Sequence, residues 1–273
     1  MTDPWAVLVS EVMAQQTQVA RVGAAWRAFM VCFPTAASLA AASPADAIRA
    51  WSGLGYNRRA INLRRAAVAI VDRHAGRVPD ALEALEALPG VGPYTARAVA
   101  AIVFGQPVGA VDVNVRRVIG RIVSGSAAPP PRRALQDIAD GLVARDRPAD
   151  WTHALMDLGA TLCRQRSPAC AACPAVGWCC FATEPDAPEA DGTRRSGRVV
   201  REWQPGFEST TRWLRGRLID SLRMRPAGEW QRFATPIGPH SSDAVAAALG
   251  RLAADGLVET DPADGRRARL PLA

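Results

Sequence analysis

From Trp5 onward, apolar residues recur at the three-and-four spacing of a helix. Leu8, Val9, Val12 and Met13 share one stripe, while Glu11, Gln15 and Gln18 fall on another. The pattern predicts an amphipathic helix whose polar stripe is aimed away from the core. Comparable periodicity predicts helices over 18–32, 44–52, 57–75, 80–87, 94–104, 113–123, 132–144 and 150–163. No strand-like alternation interrupts them, so residues 1–180 predict a mainly α core. Two connections break the run, Pro89-Gly90-Val91-Gly92-Pro93 and the Gly- and Pro-rich stretch 124–131.

Beyond Cys180 the character of the chain changes. Residues 184–198 are polar, charged and proline-bearing, which predicts a linker, placed at 181–204. Helical periodicity resumes at 209–223, where Trp213, Leu214, Leu218 and Leu222 share a side. A second helix is predicted from an N-cap at Ser241 or Ser242, through Val245, Leu249 and Leu252, to Gly256. The final stretch predicts a hairpin around Asp264 and Gly265. Two helices and a basic hairpin predict a small winged-helix-like α/β module over 205–273.

A chain of 273 residues with 49% hydrophobic content builds sizeable cores, in one large or two medium domains. Its net charge of +7 and pI near 9.8 point to an anionic partner, nucleic acid first, against the alternative of a merely basic soluble protein. All 33 basic residues are arginine, so no side-chain amine exists anywhere in the chain. No apolar run reaches the roughly 18 residues of a membrane span, and the N-terminus lacks the basic opening of a signal peptide. These features predict a cytoplasmic protein. Of the six cysteines, five lie between Cys163 and Cys180, a grouping that suggests metal ligands or free thiols rather than disulfides. Cys32, on an apolar helix, reads as core.

Three constellations carry chemistry. In the first, Pro89, Gly90, Val91 and Gly92 form a tight connection between helices, which serves either as an ordinary turn or as a set of backbone N–H groups that hold a DNA phosphate. Asp112, just before a helical run, reads as an N-cap; capping bonds and the positive end of a helix also favour the ionised form of a carboxylate. Finally, Cys163, Cys170, Cys173 and Cys179 stand at C-x6-C-x2-C-x5-C, which has a single CxxC pair where a zinc ribbon has two. Cys180 lies one residue from Cys179 and is an alternative fourth ligand.

Leu88-Pro-Gly-Val-Gly-Pro-Tyr-Thr-Ala96, followed by Asp112 and the cysteine spacing, resembles the helix-hairpin-helix DNA glycosylases of the endonuclease III superfamily. The resemblance implies that Pro89–Gly92 bind DNA, that Asp112 is catalytic and that the four cysteines hold a [4Fe-4S] cluster. Ser10-Glu-Val-Met-Ala-Gln-Gln-Thr17 is similar to the signature of the adenine-removing (MutY-type) branch, and Trp51-Ser-Gly-Leu-Gly-Tyr56 extends the likeness. In that branch Glu11 supplies the acid that protonates departing adenine, which asks for a partly desolvated pocket. Gln16 and Tyr56 match residues pushed into the duplex beside the flipped base, and Tyr94 and Asn114 match residues that support Glu11 and Asp112. Bifunctional relatives carry a Schiff-base lysine where this chain has Tyr94, so hydrolysis without strand cleavage is implied.

The implied partner is double-stranded DNA with adenine opposite 8-oxoguanine or guanine, bound by a monomer in the cytoplasm at the nucleoid. Two departures are expected. The family's usual helix and loop before Asp3 is missing from the sequence, and after Cys179 the likeness weakens, with too few residues for a Nudix-like domain. The C-terminal module is expected to reach DNA through Arg266, Arg267 and Arg269 or through Arg212, Arg215 and Arg217. The competing functions are a thymine or uracil mismatch glycosylase and a DNA-binding protein without excision activity.

Overall fold

The structure, a computed structural model, describes residues 3–125, 130–183 and 206–272. Most of the expected linker, from 184 on, lies outside the described residues, as do 126–129 of the Pro-rich connection. The helices are α1 (Pro4–Ala14), α2 (Val19–Cys32), α3 (Ala36–Ala41), α4 (Pro44–Ala50), α5 (Arg58–His74), α6 (Leu82–Glu86), α7 (Pro93–Phe104), α8 (Val113–Ser124), α9 (Arg132–Leu142), α10 (Pro148–Thr161), α11 (Cys180–Thr183), α12 (Thr211–Arg223) and α13 (Ser242–Ala254). Three short strands, β1 (Gln231–Arg232), β2 (Glu259–Thr260) and β3 (Arg267–Arg269), and single 3-10 turns at Cys170–Ala172, Val176–Trp178 and Phe207–Ser209 complete the described elements. Among the described residues no helix is long and apolar enough to cross a membrane.

The periodicity located every helix longer than six residues. It missed α3, whose six residues are too short to show a period and which is defined instead by a Thr35–Ser38 capping box. Ser241, not Ser242, caps α13, its hydroxyl accepting from the Ala244 amide.

Two compact units emerge. The first comprises Trp5–Pro79, Leu88–Gly90 and the C-terminal segment. Leu8 and Met13 of α1, Phe29 of α2, Trp51 and Leu63 are fully buried, and Phe29 meets Trp51 edge-on at 5.8 Å. Cys32, expected in the core, is exposed beside Val31, because the buried side of α2 runs through Val22 and Phe29 to the capping residue Phe33.

The C-terminal segment runs helix, strand, helix, strand, strand, with the antiparallel sheet ordered β1-β3-β2, a winged-helix-like arrangement. Its core of Leu214, Leu218, Leu222, Val245, Leu249 and Leu252 is continuous with Ala45 and Ile48 of α4 and Ile61 of α5. Polar seams run alongside. Arg223 donates through Nε to the Ile48 carbonyl at 3.0 Å and through Nη2 to Asn57 Oδ1 at 2.7 Å, and the Ala45 amide donates to the Pro271 carbonyl at 3.0 Å. A composition break at the linker marks a change in the chain, yet the apolar surface of α12 is completed by the N-terminal helices.

The second unit holds Asp80–Ala87 and the chain from Val91 through the cysteine loop. Here α7 packs on α6 and α10, and α8 on α9 and α10. Val115, Ile119, Leu135 and Ala139 form its core with Trp151, Leu155 and Met156 against them.

Ile48→Ala removes a fully buried side chain of α4 and should lower stability by about 2–5 kcal/mol, with faster amide exchange across α12 and α13. Unchanged exchange in those helices would show that the C-terminal core stands apart from α4.

Candidate active site and cysteine centre

Besides Ala75 at the end of α5, the first unit presents two exposed non-glycine residues in the left-handed backbone region, Gln16 at φ 53° and Tyr56 at φ 46°. For residues with a Cβ this conformation costs about 1–2 kcal/mol each, so neighbouring structure must hold it in place. The holder is Arg59, buried at the first turn of α5. Its Nη1 donates to the carbonyls of Val12 (3.1 Å), Met13 (2.9 Å) and Gln15, all at the end of α1. Its Nη2 donates to Thr17 Oγ1 (2.9 Å) and to the carbonyls of Leu54 and Gly55 (both 3.2 Å). One planar fork thus satisfies the open C-terminal carbonyls of α1 and the loop that carries Tyr56. Burial pulls the Arg59 pKa below its ordinary value, with the nearby Tyr56 opposing. Further ties fix the same loop: Trp51 Nε1 donates to the Gly55 carbonyl at 3.1 Å, and Arg21 to that of Gly53.

Glu11 lies half-buried on α1, one residue before the buried Val12. Farther along, Gln15 Nε2 donates to the Gly90 carbonyl at 3.3 Å. The hairpin between α6 and α7 turns at Gly90, φ 80°, where an added Cβ would lie 2.7 Å from Asn62 Cβ. Gly92 is the N-cap of α7 and Pro93 its first residue, so Val91 and Gly92 lead straight into a helix N-terminus. The connection expected from the glycines is therefore a true helix-hairpin-helix.

Asp112 caps α8. Its Oδ1 accepts from the amides of Asn114 (2.8 Å) and Val115 (2.7 Å), and its Oδ2 accepts from Asn114 Nδ2 at 3.2 Å. The approach to Asp112 is fixed by Asp140 Oδ1, which accepts from the Gly109 amide and Arg97, both at 2.7 Å. Behind Asn114 stands Arg117, whose Nη2 donates to Asn114 Oδ1 (3.0 Å) and the Gly159 carbonyl (2.7 Å) and whose Nε donates to the Cys163 carbonyl (2.8 Å). A Cβ on Gly159 would stand 2.8 Å from Asn114 Cβ, so only glycine lets α10 approach α8 here. Tyr94 on α7 donates its hydroxyl to Met156 Sδ at 3.7 Å.

Cys163, Cys170, Cys173 and Cys179 line one cavity, together with apolar side chains including Val118, Leu158, Leu162 and Phe181. Cys180 does not line it, and its thiol donates to the Val123 carbonyl at 3.7 Å. Cys179, rather than Cys180, thus shares the cavity with the other three cysteines. Arg121 reaches the same place, donating to Cys163 Sγ at 3.4 Å and to the carbonyls of Arg164 (2.8 Å) and Gln165 (3.1 Å). Burial pushes the Cys179 thiol up, backbone N–H bonds from Ala182 and Phe181 pull it back, and Cys163 and Cys170 add to the rise. A cavity lined by four cysteines and apolar side chains has the soft-donor chemistry that suits an iron-sulfur cluster.

Residues 9–142 match the HhH-GPD superfamily of base excision DNA repair proteins. The adenine DNA glycosylase of Mycobacterium tuberculosis is 45% identical over 81% of this chain and 70% of its own length. That of Mycolicibacterium smegmatis is 40% identical over 96% of this chain and 86% of its own. The chain belongs to the adenine DNA glycosylase family. Its structure is also similar to that of a thermostable thymine-DNA glycosylase, with a TM-score of 0.63 at 29% identity over 67% of this chain and 86% of the other. The match to the Mycolicibacterium adenine DNA glycosylase covers enough of this chain to extend into the C-terminal segment.

Sequence reasoning missed Arg59, Arg117, Arg121, Asp140 and Gly159. The signal for Arg59 was present: it stands in register with Leu63, Ala66 and Ile70, a charge on the apolar stripe of α5. Arg59→Lys replaces a planar fork by a point donor, and we expect about 2–4 kcal/mol of lost stability in urea denaturation; a loss under about 0.5 kcal/mol would show that Arg59 is not the fastening of α1 to the Tyr56 loop.

Proposed function

We propose that this chain is a monofunctional glycosylase that hydrolyses the N-glycosidic bond of adenine mispaired with 8-oxoguanine or guanine in double-stranded DNA, acting as a monomer in the cytoplasm at the nucleoid. The observation that carries the reading is the setting of Asp112. One carboxylate oxygen is taken up by two backbone amides, while the other meets only Asn114 among the described groups, and so keeps capacity to face developing positive charge on a sugar.

In this mechanism Glu11 delivers its proton to a ring nitrogen of adenine as the bond to the sugar breaks, so the base leaves neutral. Asp112 stabilises the cationic sugar, water adds at the same carbon and loses a proton, and an abasic site remains. Asn114 orients Asp112, and Tyr94 supports the acid. Gln16 and Tyr56 fill the stack vacated by the flipped adenine, and Pro89, Gly90, Val91 and Gly92 hold a backbone phosphate. With no lysine in the chain, no side chain forms a Schiff base with the abasic sugar. Cys163, Cys170, Cys173 and Cys179 would hold a [4Fe-4S] cluster, which when bound cross-links the loop to the rest of its unit. Arg121 offers such a cluster a hydrogen bond at Cys163.

The similarity to a thymine-DNA glycosylase gives the competing reading its support, and the same assay judges both. In single-turnover reactions the wild-type protein should act on adenine opposite 8-oxoguanine and guanine and leave thymine opposite guanine intact. Glu11→Gln and Asp112→Asn should each slow excision by at least about 100-fold while still binding the duplex. Processing of the T:G duplex, or full activity in either variant, would overturn the reading. A visible absorption band that bleaches on reduction tests the cluster, and one zinc per chain would refute it.

A further inference from the structure

The arginines of the C-terminal segment are not equivalent. Arg266 pairs with Asp243 (3.1 Å), Arg267 with Asp261 (3.0 Å), Arg269 with Glu259 (2.7 Å), and Arg215 with Asp255. Four of the six arginines expected to reach DNA thus each have a carboxylate neighbour in the free protein. Arg212 has no carboxylate partner among the described residues and is exposed. Its guanidinium carbon lies 4.3 Å from the centroid of the Tyr56 ring and 5.9 Å from that of Phe207.

Tyr56 is 40% exposed and sits in the left-handed region between Gly55 and Asn57. Arg59 secures its backbone, and that guanidinium lies 5.5 Å from the ring centroid. Backbone clamping leaves the ring free to turn about its side-chain bonds, and a ring that turns pays an ordering cost on entering a base stack. A second cation over the π face restricts those rotations before DNA arrives.

We infer that Arg212 is a positioning residue for Tyr56: stacked on the ring, it presets the orientation in which Tyr56 enters the duplex and so makes the C-terminal segment part of the base-flipping machinery. The inference rests on the insertion role proposed above for Tyr56.

The chain contains only two tyrosines, Tyr56 and Tyr94, so protein labelled with 3-fluorotyrosine should show two fluorine resonances, assigned by Tyr56→Phe. Arg212→Ala should move the Tyr56 resonance and leave that of Tyr94 in place, while Arg232→Ala, which breaks only the exposed pair with Asp264, should move neither. On a duplex with adenine opposite 8-oxoguanine, Arg212→Ala should weaken binding about two- to five-fold, and should have no effect in a Tyr56→Ala background. An unmoved Tyr56 resonance, or an equal binding loss in both backgrounds, would overturn the inference. Failure of the wild-type protein to bind or excise from that duplex would instead strike the proposed activity, with the resonances still deciding whether the stack exists.

Discussion

The first unit depends on one guanidinium. Arg59 collects the last carbonyls of α1 and those of the loop after Trp51 around a single planar group. Without it, several backbone acceptors would lie in a water-poor region unpaired, and two left-handed residues would have nothing to oppose their relaxation. The same fork sets the exit of α1, and with it the helix carrying Glu11, together with the loops presenting Gln16 and Tyr56. Placing a charge on the buried stripe of α5 is costly as local chemistry. It becomes favourable because the N–H groups of Nη1 and Nη2 find carbonyl and hydroxyl partners at once, although the buried Nε has none among the described residues.

The second unit solves a related problem by a relay. Asp112 is held by amides of its own helix and by Asn114, Asn114 by Arg117, and Arg117 by the carbonyls of Gly159 and Cys163. Each member fixes the next, so the carboxylate is oriented before any substrate binds, the condition under which electrostatic stabilisation is most effective. The relay also joins the cysteine loop to the proposed catalytic aspartate through three side-chain contacts. A cluster that orders Cys163 would in this way steady Asp112 without entering the hydrolysis.

Much of this was legible in the chain itself. The apolar period located the long helices, Gly90 and Gly92 located the hairpin, and the capping role of Asp112 followed from its place before Val113. The resemblance carried by Ser10–Thr17 and by the cysteine spacing led to the family that the relatives support. What escaped has a common physical cause: it depends on contacts between residues distant in sequence. Arg59 and Val12 are 47 positions apart and Arg117 and Cys163 are 46 apart, so no local window contains either pair. The position of Gly159 against Asn114 is set by how two helices cross, which the period of neither reveals. Likewise, the charge pattern of the C-terminal hairpin suggested a phosphate-binding surface, and only the fold brings Asp243, Asp261 and Glu259 alongside its arginines.

The central claim is that this constellation releases adenine by simple hydrolysis, and the most direct measurement is mass spectrometry of the products from a duplex with a single adenine opposite 8-oxoguanine. The account predicts free adenine and an uncut strand bearing one abasic site. Release of a different base, or a strand already cleaved before alkali is added, would contradict it.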